Sequence, residues 1–231
     1  AAGGQGAPLV PLIDALCFGS ETAPRVLLNL GGMANATWVG RRADLQDVVA
    51  GDSGPGMAII DGVARLVDSE LPYDAGGVVS ERGVVATEVL EELLADPWFA
   101  ASPPKSTGRE VFGADYAARL HRRVPGPDGV RTALALTVET VVHFCRHHLP
   151  RAAEVVVAGG GSNHPVLMRE LAARFNAHGA VLRRFDELFF DGDAKEAVAF
   201  AMLGWLAVHG QPGNLPAVTG AAGPRALGSA T

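Results

Sequence analysis

The spacing of apolar positions changes character several times along the chain, and each change marks an element. Residues Arg25–Leu30 (RVLLNL) form a short apolar run closed by Gly31-Gly32, the pattern of a buried strand that ends in a turn. Positions 36–40 and 46–50 read as two more short strands, with a polar connection of hairpin length at 41–44 between them. The stretch 51–56 (GDSGPG) reads as a turn by composition. After it the period becomes helical: Met57–Val67 carries apolar residues at 59, 60, 63, 66 and 67. Asp52 or Ser53 is placed to cap that helix, and Pro55 stands near a first turn that needs no N–H there.

The middle of the chain reads as a loop over 71–79, a helix over 84–94 and a long polar loop over 97–108 that contains Pro103-Pro104. A long helix then covers 129–149, with Leu134, Val138, Val141, Val142 and Cys145 on one face and Pro150 as its stop. The last third alternates. Glu154–Ala158 (EVVVA) has the composition of a strand buried on both faces and closes on Gly159-Gly160-Gly161. Helix 165–178, with Leu167, Leu171 and Phe175 in register, leads to a strand over 180–184. A mostly apolar, hence buried, helix covers 193–209, and a small-residue tail follows 210–216. Three strands, a helix, a helical insert and then β–α–β–α predict a mixed sheet with helices on both faces.

Composition sharpens this picture. Glycine (29) and proline (15) make up about a fifth of the 231 residues, so turns and close backbone approaches matter. With 48% hydrophobic and 19% charged residues the chain is not disordered. No 18-residue apolar run is present, and the first thirteen residues lack Lys and Arg, which does not suit a signal peptide. A net charge of −6 gives no phosphate-binding footprint, and the basic pairs Arg41-Arg42, Arg122-Arg123 and Arg183-Arg184 read as solvated surface. Two distant cysteines, Cys17 and Cys145, fit a reducing cytoplasm. The cations are 17 Arg against only Lys105 and Lys195, a skew read as genome composition. A first residue inside a glycine-rich turn suggests a truncated parent.

Candidate chemistry gathers at the glycine turns. Lys105-Ser106-Thr107 resembles the tail of a P-loop, but two prolines precede it and cannot donate N–H to a phosphate. The Gly159-Gly160-Gly161 turn carries His164 where a dinucleotide fingerprint needs glycine. Both it and Gly31-Gly32 either simply end strands or let the backbone approach an anion or a flat ring. If their strands are parallel, both open at one edge of the sheet. Asp52 is a candidate acid/base group or a helix N-cap. Asp191, Asp193 and Glu196 suit a helix dipole, with Glu196 placed to face a cleft. His143 and His147 share a helix face but lack the remaining ligands of a zinc site, so no metal site is expected there.

Taken in order, the strings GGQGAPLVP (3–11), NLGGMAN (29–35), DSGPG (52–56), PPKSTGRE (103–110), GGGSN (159–163), EAVAFA (196–201) and PGNLPAVTGA (212–221) closely resemble the anhydro-N-acetylmuramic acid kinases. These belong to the sugar kinase/Hsp70/actin superfamily, and the likeness runs over essentially the whole chain. The resemblance implies an actin-like, ribonuclease H-like α/β lobe with a mixed five-stranded sheet and a helical insert at about 71–150. It implies ATP and Mg²⁺, a cytoplasmic enzyme of peptidoglycan recycling, and a homodimer. By the family pattern Asp52 is the catalytic base. Asn29, Gly31 and Gly32 correspond to the second phosphate loop, Gly159, Gly160, Gly161 and Asn163 to the adenosine turn, and Glu196 to a sugar-binding residue. Met57 departs from the asparagine common after the DSGPG-type motif, and the first phosphate loop has no counterpart in these residues. Residues 1–24 are therefore expected to end a first lobe and 25–231 to form the second, inactive by itself. A related hexose kinase and a non-catalytic nucleotide-binding lobe are the alternatives.

Overall fold

A computed structural model describes residues 3, 4, 6–41, 45 and 47–228. Gln5, the 42–44 connection with Arg42, and Gln46 at the start of the third expected strand lie outside the described residues, as do 1, 2 and 229–231. The elements are α1 (Val10–Phe18), β1 (Arg25–Leu30), β2 (Met33–Val39), β3 (Val49–Pro55), α2 (Met57–Val67), α3 (Thr87–Leu94), α4 (Pro97–Ala100), α5 (Ala114–Arg123), α6 (Pro127–His147), β4 (Glu154–Ala158), α7 (Pro165–Ala177), β5 (Val181–Arg184), α8 (Lys195–Val208) and α9 (Pro216–Thr219). The strands form one mixed sheet in the order β3-β2-β1-β4-β5. β1, β2 and β3 are an antiparallel meander, while β4 lies parallel to both β1 and β5. This is the mixed α/β sheet with helices on both faces that the sequence pattern predicts, with the five strands and helical insert that the resemblance implies.

The near-continuous apolar composition of β1 and β4 follows from burial on both faces. Val26, Leu28 and Leu30 of β1 pack with Val155 and Val157 of β4 under α2, α6 and α7. Leu27, Val156 and Ala158 point the other way, against Leu12, Ile13 and Phe18 of α1, Leu203 of α8 and Val218 of α9. Period-2 alternation thus builds two apolar layers from one sheet. The insert sits wholly on the first face, where α6 runs as its spine beside α2 and β3.

Several expectations are corrected. β2 begins at Met33 and not at 36, because only Gly31-Gly32 form the turn after β1. Residues 51–55 belong to β3 and are not a turn. Asp52 and Ser53 do not cap α2. Its N-cap is Gly56, without a side-chain bond. The N–H groups of Gly56, Met57 and Ala58 instead donate to the carbonyls of Gly31 and Gly32 at 2.8–3.1 Å, so the hairpin tip satisfies the helix end. A side chain on Gly56 would strike the Gly31 carbonyl oxygen. Finally, α8 is not buried all round. Lys195, Ala199 and Leu203 face inward, while Phe200, Trp205 and Val208 are 54%, 59% and 77% exposed.

Candidate active site

Because β1 and β4 are parallel, with Asn29 beside Ala158, the Gly31-Gly32 and Gly159–Gly161 turns leave the sheet at one carboxyl-terminal edge. Ligands bind at such edges in open α/β sheets. The register then adds a polar row. Asn29 pairs with Asn35 across the β1–β2 hairpin, and Asn35 pairs with Asp52 on β3. Directly paired residues present side chains on the same face. The pairing shifts between Ala34 and Asn35, leaving Ser53 as an extra residue whose hydroxyl donates to the Ala34 carbonyl at 3.1 Å. This bulge ends the ladder next to Asp52, a common device beside active sites. Asn35 escaped the sequence reading, although it closes the same NLGGMAN string that Asn29 opens.

Asp52 is buried, at 9% exposure, in a polar setting. Its N–H donates to the Lys105 carbonyl at 3.1 Å. Its Oδ2 accepts the Thr107 N–H at 2.8 Å. Burial pushes its carboxyl above the ordinary value, and the Thr107 bond and the Lys105 charge only partly offset this. Lys105 is itself buried: Nζ donates to the carbonyls of Trp98 and Phe99, each at 3.1 Å, and lies 4.2 Å above the Trp98 ring. Burial brings its ammonium down to about 8, although Asp52 opposes the shift.

The second glycine turn is held tightly. Gly159 has φ of +86°, and a Cβ there would stand 2.7 Å from Asn29 Oδ1 and 2.9 Å from the Leu30 backbone. Gly160 faces open space. Replacing Gly159 with alanine is expected to cost about 1–3 kcal/mol, from left-handed strain and the clash. Gly160→Ala should cost well under 1 kcal/mol. Urea unfolding of the two variants checks this, and equal losses would contradict the close-approach account.

The turn is anchored from below by a pair that the sequence did not reveal. His164 Nδ1 accepts the Leu167 N–H at 3.2 Å, which puts the ring proton on Nε2, 3.2 Å from Asp74 Oδ2. Asp74 also receives the N–H groups of Val79 and Ser80. Burial raises the Asp74 carboxyl, but hydrogen bonds from His164, Ser80 and Val79 outweigh it and hold the group below its ordinary value. Asn163 Oδ1 accepts from Arg184 Nη2 at 2.9 Å, and Arg184 Nη1 also grips the Ser162 carbonyl at 2.7 Å. Arg184, read from sequence as solvated surface, is thus a strut of the turn.

A cavity of about 540 Å³ opens at this edge. It brings together Asn29, Gly31, Gly159, Gly160 and Glu196 of the sequence-expected residues, and adds Asn35 and Lys195. Asp52 does not line it but stands next to Asn35, which does. The other expected residues lie apart. Gly32 faces a separate cavity of about 450 Å³ with Met57 and Arg109. Gly161 is packed on Leu30, and Asn163 borders a small pocket of about 110 Å³ with Arg184. Lys195 makes a buried ion pair with Asp14 of α1 at 2.8 Å, with side chains 6% and 4% exposed. The contact is close but not angled as a hydrogen bond. The sequence signal was the scarcity of lysine: the only two in the chain are both buried at this site.

The anhydro-N-acetylmuramic acid kinase family matches over residues 1–231. A curated anhydro-N-acetylmuramic acid kinase from Gloeobacter violaceus is 44% identical over 225 residues, which is 96% of this chain and 59% of the relative. Kinases of the same name from Streptomyces avermitilis and Xanthomonas campestris pv. campestris are 43% and 42% identical, over 100% and 99% of this chain and 58% and 60% of theirs. The chain therefore spans about three fifths of the length of these curated relatives.

Proposed function

Since the chain belongs to the anhydro-N-acetylmuramic acid kinase family, we propose that the longer protein opens 1,6-anhydro-N-acetylmuramic acid with water and phosphorylates O6. The products would be N-acetylmuramic acid 6-phosphate and ADP, in cytoplasmic peptidoglycan recycling. The observation that carries this reading is a buried carboxylate, Asp52, raised above its ordinary value and set in a row with Asn35 and Asn29 that runs from the edge strand toward the Gly159–Gly161 turn. A base must be ionisable yet poised, and partial desolvation provides that.

The balance is simple. Water oxygen bonds to the anomeric carbon and gives one proton to Asp52. The C1–O6 bond breaks, and O6 takes the γ-phosphoryl group while ADP departs. Phosphoryl transfer depends mainly on positioning and charge neutralisation. Backbone N–H groups at Gly31 and Gly32 would meet the phosphates, and the Gly159–Gly161 turn with Asn163 the nucleoside. Glu196 would hold sugar hydroxyls. Mg²⁺, bound largely by phosphate and water, needs only one or two carboxylates, and Glu196 on the cavity wall supplies a suitable oxygen. When bound it would neutralise charge on the phosphates. Residues 1–24 are assigned to the end of a first lobe and 25–231 to the second, with a homodimer in the complete enzyme. The first phosphate loop has no counterpart in these 231 residues, so by themselves they should release no sugar-dependent ADP.

The complete enzyme, run in ¹⁸O-water with ATP and the anhydro-sugar, should place label on C1 and none in phosphate. Equal ADP release with ordinary hexoses, or unlabelled C1, would overturn the reading in favour of a simple hexose kinase.

A further inference from the structure

The segment Lys105-Ser106-Thr107 grips Asp52 at two points. The Lys105 carbonyl accepts the Asp52 N–H at 3.1 Å, and the Thr107 N–H donates to Oδ2 at 2.8 Å. Among the described residues Oδ1 accepts no hydrogen bond, so the two carboxylate oxygens are inequivalent. The hold is by main chain: the Thr107 hydroxyl is buried and has no partner among the described residues. The Lys105 side chain turns away from this contact. Its ammonium is fixed by the Trp98 and Phe99 carbonyls and the Trp98 face, and makes no direct ion pair with Asp52. It is a fixed charge near the carboxylate, with the Phe144 ring and His143 of α6 and His148 just past its end as further neighbours. Burial, then the neighbouring histidines and Lys105, hold His143 below its ordinary value, so it adds little competing positive charge near neutrality.

We propose that this segment is the positioning element of the site: Thr107 occupies Oδ2 so that Oδ1 does the proton transfer, and Lys105 supplies the charge that sets when it can. The proposal rests on Asp52 being the base. Its two parts are separable from that reading, because neither needs turnover to be observed. The lowered Lys105 value agrees with a cation desolvated at that place. The two prolines just before the segment, Pro103 and Pro104, suit this role: with φ fixed on entry, the chain presents one N–H and one carbonyl in fixed register.

Carboxyl carbon and amide NMR of the 231-residue protein, titrated with acid, tests both parts. In the unaltered chain the Thr107 amide proton should move with the Asp52 carboxyl, on the same midpoint. In Lys105→Met the Asp52 midpoint should rise by about one pH unit, as expected when an opposite charge is lost nearby. In Lys105→Arg it should stay near its original place. A Thr107 amide indifferent to the Asp52 titration would overturn the proposal even if Lys105→Met did not fold. So would a Lys105→Met midpoint that stays in place in a folded protein. Loss of turnover by Asp52→Asn in the complete enzyme, together with either of those outcomes, would leave the base and remove the positioning element. Full turnover by Asp52→Asn would remove the base, and the proposal with it.

Discussion

Asp52→Asn in the complete enzyme is expected to cut turnover of the anhydro-sugar by about 10²- to 10⁴-fold, the usual contribution of a positioned general base. Asparagine keeps an oxygen for the Thr107 N–H and the backbone bond to Lys105, so the fold should persist and the loss should fall on kcat rather than KM. The pH profile provides the second reading. Desolvation raises the Asp52 carboxyl, so the working, ionised form is lost at a higher pH than for an ordinary carboxylate near 3.9. Activity should therefore fall, as pH is lowered, on a limb displaced upward from that value. Steady-state kinetics from pH 4 to 8 on both proteins settle it. Turnover within tenfold of the original, with no displaced limb, would assign the proton to another group.

How much of this could be read from residues alone depends on the range of the contacts involved. β1, β4 and α2 fall where the apolar spacing puts them, because strands buried on both faces and an amphipathic helix write their packing into local sequence. Only the start of β3 is legible, because Gly and Pro over 51–55 signal a turn. β3 is an edge strand, where Pro55 is tolerated, and its outer side is met by the Lys105 carbonyl. α5 passed unnoticed because only Ala117 and Leu120 are buried on it, too few to set up a visible period. α8 misled in the opposite direction: apolar composition predicts burial, but one side of the helix is open. At the candidate site, motif order picked out Asn29, Gly31, Gly159, Gly160 and Glu196, which line one cavity. His164 with Asp74 was not legible, since the partners lie 90 residues apart and nothing local links them.

The Lys195–Asp14 pair has the same character, and it carries the largest expected effect on stability. The pair joins Asp14 of α1 to Lys195 of α8, with Nζ 5.9 Å and 5.7 Å from the Phe18 and Phe185 ring centres, so the surroundings are apolar and screening is weak. Lys195→Met leaves the Asp14 carboxylate buried without a cation. Breaking one side of such a pair costs about 3–5 kcal/mol, far above the median for surface pairs. For a chain of this length each kcal/mol lowers Tm by about 2–4 °C. Adding Asp14→Leu removes the stranded charge, and an apolar pair of similar volume can be as stable as the ion pair it replaces. Denaturant unfolding of the four proteins should therefore show a large loss in each single variant and recovery of most of it in the double. Lys195 precedes Glu196 on the first turn of α8 and lines the cavity itself. The recovered double variant would then separate two roles of the pair. If the complete enzyme carrying both changes folds well but binds sugar poorly, the pair is kept to hold Glu196 at the cleft. A double variant as unstable as Lys195→Met alone would mean that the loss comes from packing and not from an unpaired charge.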